Sequence, residues 1–210
     1  MIEPLGGPVY WLPFVIGFAV AYLIGSIPFG LLFTRWAGAG DIRAIGSGNI
    51  GATNVLRTGR KDLAIATLLA DALKGAVPCL IAFHLFGPNM ATVVALGAVV
   101  GHCFPVYLRF KGGKAVATAA GVVFALAPLA GAITLALFVL VVWLSRYVSL
   151  GSMVAAMIAG PIAFFTGKPH FLEVFLAIGL LIVAKHHTNI RRLIQGNENR
   201  LGVRANSNSD

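Results

Sequence analysis

The sequence predicts an all-α, polytopic membrane bundle of seven spans, some of them short, with the N-terminus outside and the C-terminus cytoplasmic. Three observations lead there. Of 210 residues, 58% are hydrophobic and only 11% charged, where soluble proteins carry about 25% charged residues. Apolar runs of near-spanning length alternate with short polar loops. The basic residues fall almost wholly on one side of that alternation, as they do in cytoplasmic loops.

Length alone marks Tyr10 to Phe33, Leu63 to Phe86, Met90 to Leu108, Leu150 to Phe165 and Phe171 to Ala184 as spans. The last two are somewhat short against the usual ~20 residues. The run from Ala115 to Leu144 is too long, since one straight helix would measure about 45 Å against a hydrocarbon core of about 30 Å. Pro128 sits near its middle, where it removes a backbone donor and disfavours helix at the residue before it. Two short spans, Ala115 to Ala127 and Leu129 to Leu144, are therefore expected. With that split, all sixteen Lys and Arg residues lie on one side except Lys74, inside a span, and Lys168, opposite.

One integral domain over residues 1–204 is expected, without internal repeats, and residues 205–210 read as a disordered polar tail. The first apolar run is long and lacks a basic leader, so it reads as a span and not a cleavable signal. Cys79 and Cys103 have no metal-ligand spacing and read as packing residues. The net charge of +9 does not point to nucleic acid, because the basic residues are juxtamembrane and aromatics are sparse among them.

Three polar segments are richer than connectors require. The first, Asp41 to Arg57, places glycine at 46, 48 and 51, where backbone N–H groups can turn toward an anion. Ser47, Asn49, Thr53 and Asn54 add neutral donors, and Arg43 and Arg57 each offer a planar fork to phosphate oxygens. The second, Gly101 to Thr118, sets Lys111 and Lys114 around Gly112 and Gly113 at the start of a helix, a position that favours anions. His102 precedes a proline by three residues and reads either as a hydrogen-bonded structural residue or as a base. The third, Lys185 to Arg200, reads as helical, with His186 and Asn189 on one face beside Arg191 and Arg192. Asp71 and Lys74, at i and i+3 within a span, read as an internal ion pair or a substrate contact.

Together these segments resemble one family, the bacterial acyl-phosphate:glycerol-3-phosphate acyltransferases, which carry out the first acylation of phospholipid synthesis. GSIPFG (Gly25 to Gly30) with DIRAIGSGNIGATN meets the family's first motif, GHCFPVYLRFKGGKAVAT its second and HHTNIRRLIQGNE its third. DALKGA, Asp71 to Ala76, is also similar, and the resemblance runs from about Tyr22 to Arg200. One position departs: the family usually carries glycine after the second lysine of FKGGK, where this chain has Ala115. A left-handed backbone there would be strained by the methyl group.

The resemblance implies an enzyme of the bacterial inner membrane, with its site at the cytoplasmic face. Its substrates would be a long-chain acyl phosphate and glycerol 3-phosphate, and its products lysophosphatidate and inorganic phosphate. No cofactor, metal or acyl-enzyme is required, because acyl phosphate already carries a good leaving group and positioning with charge suffices. Membrane lipids are the other expected partners, and the chain is expected to be monomeric. On this reading Lys111, Lys114, the Gly112 and Gly113 backbone, Ser47 and Arg57 bind the phosphates, and Lys114 and Arg57 steady the leaving group. His186 and Asn189 orient glycerol 3-phosphate. His102 takes the hydroxyl proton, or the acyl phosphate itself does. The histidine followed five positions later by aspartate, common in acyl-CoA-dependent glycerolipid acyltransferases, is missing: position 107 is Tyr, and 191 and 192 are Arg. A transporter or channel for phosphate or an organophosphate is the alternative, although the polar motifs gather at one face and no repeat is present.

Overall fold

A computed structural model describes residues 7–202; the tail expected to be disordered, 205–210, lies outside them. Among the described residues all regular structure is helical. The first span is broken into α1 (Pro8–Gly25) and α2 (Phe29–Trp36). The sequence reads it as continuous, yet Pro28 cannot donate to the helical ladder and disfavours helix at Ile27. The two halves still form one apolar stretch, Val9–Trp36, long enough to cross a membrane.

The first polar loop carries α3 (Ala52–Val55) between two single 3-10 turns. Then come α4 (Lys61–Phe86), α5 (Pro88–Cys103), α6 (Val116–Leu126), α7 (Pro128–Ser145), α8 (Val148–Phe165), α9 (Leu172–Lys185) and α10 (His187–Ile194). The chain does break before Pro128: Ala127 leaves helical geometry at φ −144° and ψ 74°. With 11 residues, α6 rises about 16 Å, roughly half a hydrocarbon core. Five described stretches are long and apolar enough to cross a membrane, and a sixth arises if the bent pair α9 and α10 counts as one.

α1 packs along α5, α4 along both α5 and α6, and α8 between α7 and α9. Between helices in lipid, association rests on close backbone approach through small residues. The α4–α6 contact shows it: a Cβ on Gly121 would lie 2.0 Å from the Ala72 carbonyl oxygen, and one on Gly75 would lie 2.4 Å from that of Thr118. A buried seam of Ala91, Ala95, Ala98 and Val99 continues the same tight packing along α5. Outward, α7 exposes Leu135, Val139, Leu140, Trp143 and Leu144, a continuous apolar face suited to lipid.

Candidate functional site

The loop after α2 is built around one buried asparagine. Asn54 Oδ1 accepts from the Ser47 backbone N–H (3.1 Å) and from Ser47 Oγ (3.3 Å), while its Nδ2 donates to the carbonyls of Ile42 (2.8 Å) and Ile45 (3.0 Å). The sequence reading offers Asn54 as a phosphate donor, but its groups are used to fold the loop. Gly46 and Gly48 make the required left-handed turns, with φ of +55° and +68°. Arg43 is also engaged internally: its Nε bonds Asp41 Oδ1 at 2.9 Å, and Arg35 joins from the other side at 3.0 Å. The Arg43 hydrogen bonds hold the Asp41 carboxyl well below the usual carboxylate range. Arg57 differs. It lies across Gly46, where a Cβ would meet its Cδ and Nη1 at 2.6 Å, and it has no ion pair among the described residues. Ser47 and Thr53 are exposed beside it.

The loop between α5 and α6 folds back onto His102. Gly113 N–H donates to the His102 carbonyl at 3.0 Å. A Cβ on Gly112 would lie 2.3 Å from that carbonyl oxygen, and one on Gly113 would lie 2.2 Å from His102 Nε2. Only glycine permits so close a seat, which adds a reason for the pair beyond its place near a helix start. His102 is 4% exposed, and its Nδ1 is hydrogen-bonded to Thr118 Oγ1 at 3.2 Å. Its ring therefore lies beneath the loop and touches the backbone of Gly113. Lys111 stands exposed on the loop and forms no ion pair among the described residues.

Arg109, Phe110 and Ala115 in this loop all have positive φ, a conformation that is costly for residues with a Cβ. Ala115, at φ +57°, is therefore the strained residue its departure from the family pattern implied. Ala115→Gly is expected to raise stability by about 1 kcal/mol without lowering turnover. Thermal unfolding of both proteins in detergent checks it, and an unchanged or lower midpoint would contradict it.

The last segment is helical over His187–Ile194 and not beyond. α9 and α10 meet at a bend of 60°, with His186 at the corner bonding the Ile182 carbonyl through Nδ1 at 2.7 Å. His186 and Asn189 thus share a buried corner, at 2% and 6% exposure, instead of the straight face that spacing predicts. Here the three segments meet. Lys114 Nζ donates to Asn189 Oδ1, and a Cβ on Gly113 would lie 3.3 Å from Asn49 Oδ1. Asn49 itself accepts from Gly51 N–H at 3.0 Å.

Glu198, a residue without a sequence-derived role, holds the corner. It accepts from Asn189 Nδ2 (2.6 Å), Ser149 Oγ (2.8 Å) and Arg192 Nε (2.8 Å). Burial opposes its charge, but the three hydrogen bonds prevail and hold its carboxyl below the usual range. A lone acid in a basic segment was the available signal. Lys185 was also missed: it donates to the Cys103 carbonyl at 3.0 Å and lies 4.6 Å over the Phe104 ring, fixing α5 where the second loop departs. Lys114 is lowered to about 8, first by burial, then by the Arg192 charge, with Glu198 acting the other way. The result is a half-buried ammonium within the fields of Arg192, Arg57 and Lys185, an arrangement that attracts a multiply charged anion. Among the described residues no three His, Cys, Asp or Glu side chains gather as a metal site.

The family model described as glycerol-3-phosphate acyltransferase matches residues 15–196. The glycerol-3-phosphate acyltransferase of Syntrophotalea carbinolica is 52% identical over 190 residues, covering 89% of this chain and 97% of that relative. That of Nitrobacter winogradskyi is 49% identical over 191 residues, covering 91% and 97%. The crystal structure of PlsY (YgiH), an integral membrane glycerol 3-phosphate acyltransferase, in its glycerol 3-phosphate form is similar at a TM-score of 0.85. It is 41% identical and covers 90% of this chain and 96% of that one. Its lysophosphatidic acid form gives 0.84 at 40% identity, covering 90% and 95%.

Proposed function

Because this chain belongs to the glycerol-3-phosphate acyltransferase family, we propose that it transfers a long-chain acyl group from acyl phosphate to glycerol 3-phosphate. The products are lysophosphatidate and inorganic phosphate. Family membership displaces the transport alternative. One observation carries the reading: Lys114, half-buried and without an ion pair among the described residues, meets Asn189 where the three polar segments converge. Such a site suits two phosphate-bearing substrates held side by side.

In the reaction, the glycerol hydroxyl oxygen forms an ester bond to the acyl carbonyl carbon. The bond from that carbon to the phosphate oxygen breaks, and inorganic phosphate leaves with the electron pair. Lys114, Arg57 and Lys111, with Ser47 and the Gly112 and Gly113 backbone, hold the phosphates and stabilise the charge on the leaving group. Asn49 and Thr53 complete the first loop's face, and His186 and Asn189 orient glycerol 3-phosphate. The burial of His102 beneath Gly113 favours the leaving phosphate as proton acceptor over the imidazole.

The proposed topology has seven passages, with α6 and α9 the short ones. It places the N-terminus outside and the polar segments in the cytoplasm, where glycerol 3-phosphate is met. The one-sided distribution of Lys and Arg supports it. The acyl chain then lies in lipid-facing space between helices near Phe29.

The test is turnover by purified protein with glycerol 3-phosphate and either palmitoyl phosphate or palmitoyl-CoA. Lysophosphatidate formation with the acyl phosphate alone is the expected result. Turnover with the CoA ester alone, or with neither donor in folded protein, would overturn the reading.

A further inference from the structure

Two charges lie buried in the middle of α4, and no step of the reaction uses them. Asp71 and Lys74 are each 3% exposed in their side chains, with Lys74 Nζ 2.7 Å from Asp71 Oδ1. A buried ion pair is seldom more stable than apolar residues of the same volume, and inside a membrane span both charges are costly. Stability alone therefore gives a weak reason for the pair, and its contacts supply a better one.

Lys74 Nζ donates to the Ile27 carbonyl at 2.8 Å and lies 5.7 Å from the centre of the Phe29 ring. Both contacts fall at the break between α1 and α2. On the other side, Asp71 Oδ1 lies 3.8 Å from His102 Nδ1, which is bonded to Thr118 Oγ1 on α6. The His102 carbonyl accepts from Gly113 N–H, and its ring underlies that glycine. The close α4–α6 approach at Gly75 and Thr118 brings the charged and neutral members together. A polar chain thus runs from the start of α2, which leads into the first loop, through α4 to the loop carrying Lys111 and Lys114.

We propose that Lys74 and Asp71, acting through His102 and Thr118, are positioning residues that fix the first phosphate-binding loop relative to the second. The proposal rests on the acyl-transfer reading, because it assigns the network to the spacing of two bound phosphates. None of the four contacts substrate in this role. Loss of the network leaves each loop able to bind its own phosphate but misaligns the reacting atoms, so kcat falls while both KM values hold.

The test compares wild type with the paired variant Asp71→Leu/Lys74→Met, which removes both charges, and with Thr118→Val and Thr118→Ser. The paired variant is expected to keep its thermal midpoint, with both KM values within about 3-fold and kcat lowered by about 10- to 100-fold. Thr118→Val, isosteric but lacking the hydroxyl, is expected to lower kcat by about 3- to 10-fold, and Thr118→Ser to restore it. If the paired variant does not fold, the Thr118 pair decides alone. Wild-type kcat in Thr118→Val, or a loss shared equally by valine and serine, overturns the proposal. So does a paired variant in which kcat falls only together with stability, or in which KM alone rises. Failure of the wild type to turn over counts instead against acyl transfer.

Discussion

Lys114→Ala is expected to lower kcat/KM for acyl transfer by about 10²- to 10³-fold while the protein stays folded. Lys114 has no carboxylate contact to lose and donates only to Asn189 Oδ1 among the described residues. Its removal therefore takes away charge at the leaving phosphate without stranding a buried partner of opposite sign. The same lysine sets a pH dependence. Burial and neighbouring cations lower it to about 8, so it is charged below that value and neutral above. kcat/KM is expected to fall as pH rises through about 8, and the limb in kcat to lie higher, because a bound phosphate favours the ammonium. Lys114→Arg keeps a charge to pH 12 and beyond, so its profile should lose the limb. Steady-state rates from pH 6 to 10 check both statements. A full-activity alanine variant, or an alkaline limb unchanged in the arginine variant, would contradict the role.

Glu198→Ala is expected to harm both fold and rate. The carboxylate, whose side chain is 6% exposed, collects Asn189, Ser149 and Arg192. Removing it strands three donors and releases Asn189, the partner of Lys114. The loss is about 2–3 kcal/mol, below that for breaking a fully buried pair, because Arg192 is one-third exposed. A lower thermal midpoint, with a raised KM for glycerol 3-phosphate, is the expected result. Glu198→Gln should recover part of the midpoint, since the amide oxygen still accepts. Wild-type stability in the alanine variant would show that the corner holds without it.

The helices were legible because their signals are local. Pro128 ends α6 by removing one donor, α4 stops at Gly87 and Pro88, and α7 and α8 stop where polar residues return, whereas α5 stops at Cys103, short of the expected Leu108, because Phe104 leaves helical geometry ahead of Pro105. The break at Ile27 was also written locally, in Pro28, but it fell inside a run of spanning length. Hydropathy averages over such a break. In the site, residue type showed which segments mattered but not which way each side chain points. Arg43, Asn54 and Arg57 look alike as donors in the sequence. Asn54 is consumed by the loop it folds and Arg43 by Asp41, while Arg57 forms no ion pair among the described residues. That sorting depends on the turns at Gly46 and Gly48, which no propensity fixes. Glu198 and Lys185 act across 49 and 82 positions, on Ser149 and Cys103. Such contacts follow only from the packing of α5 against α9 and of the segment around Glu198 against α8.

Direct transfer between two phosphate-bearing substrates is tested most directly by rapid quench of the wild-type protein with acyl-labelled palmitoyl phosphate, with and without glycerol 3-phosphate. Phosphate release that requires the acceptor, equals lysophosphatidate formed and leaves no label on the protein is the expected result. A burst of phosphate without acceptor, with the acyl label bound covalently to the chain, would contradict it.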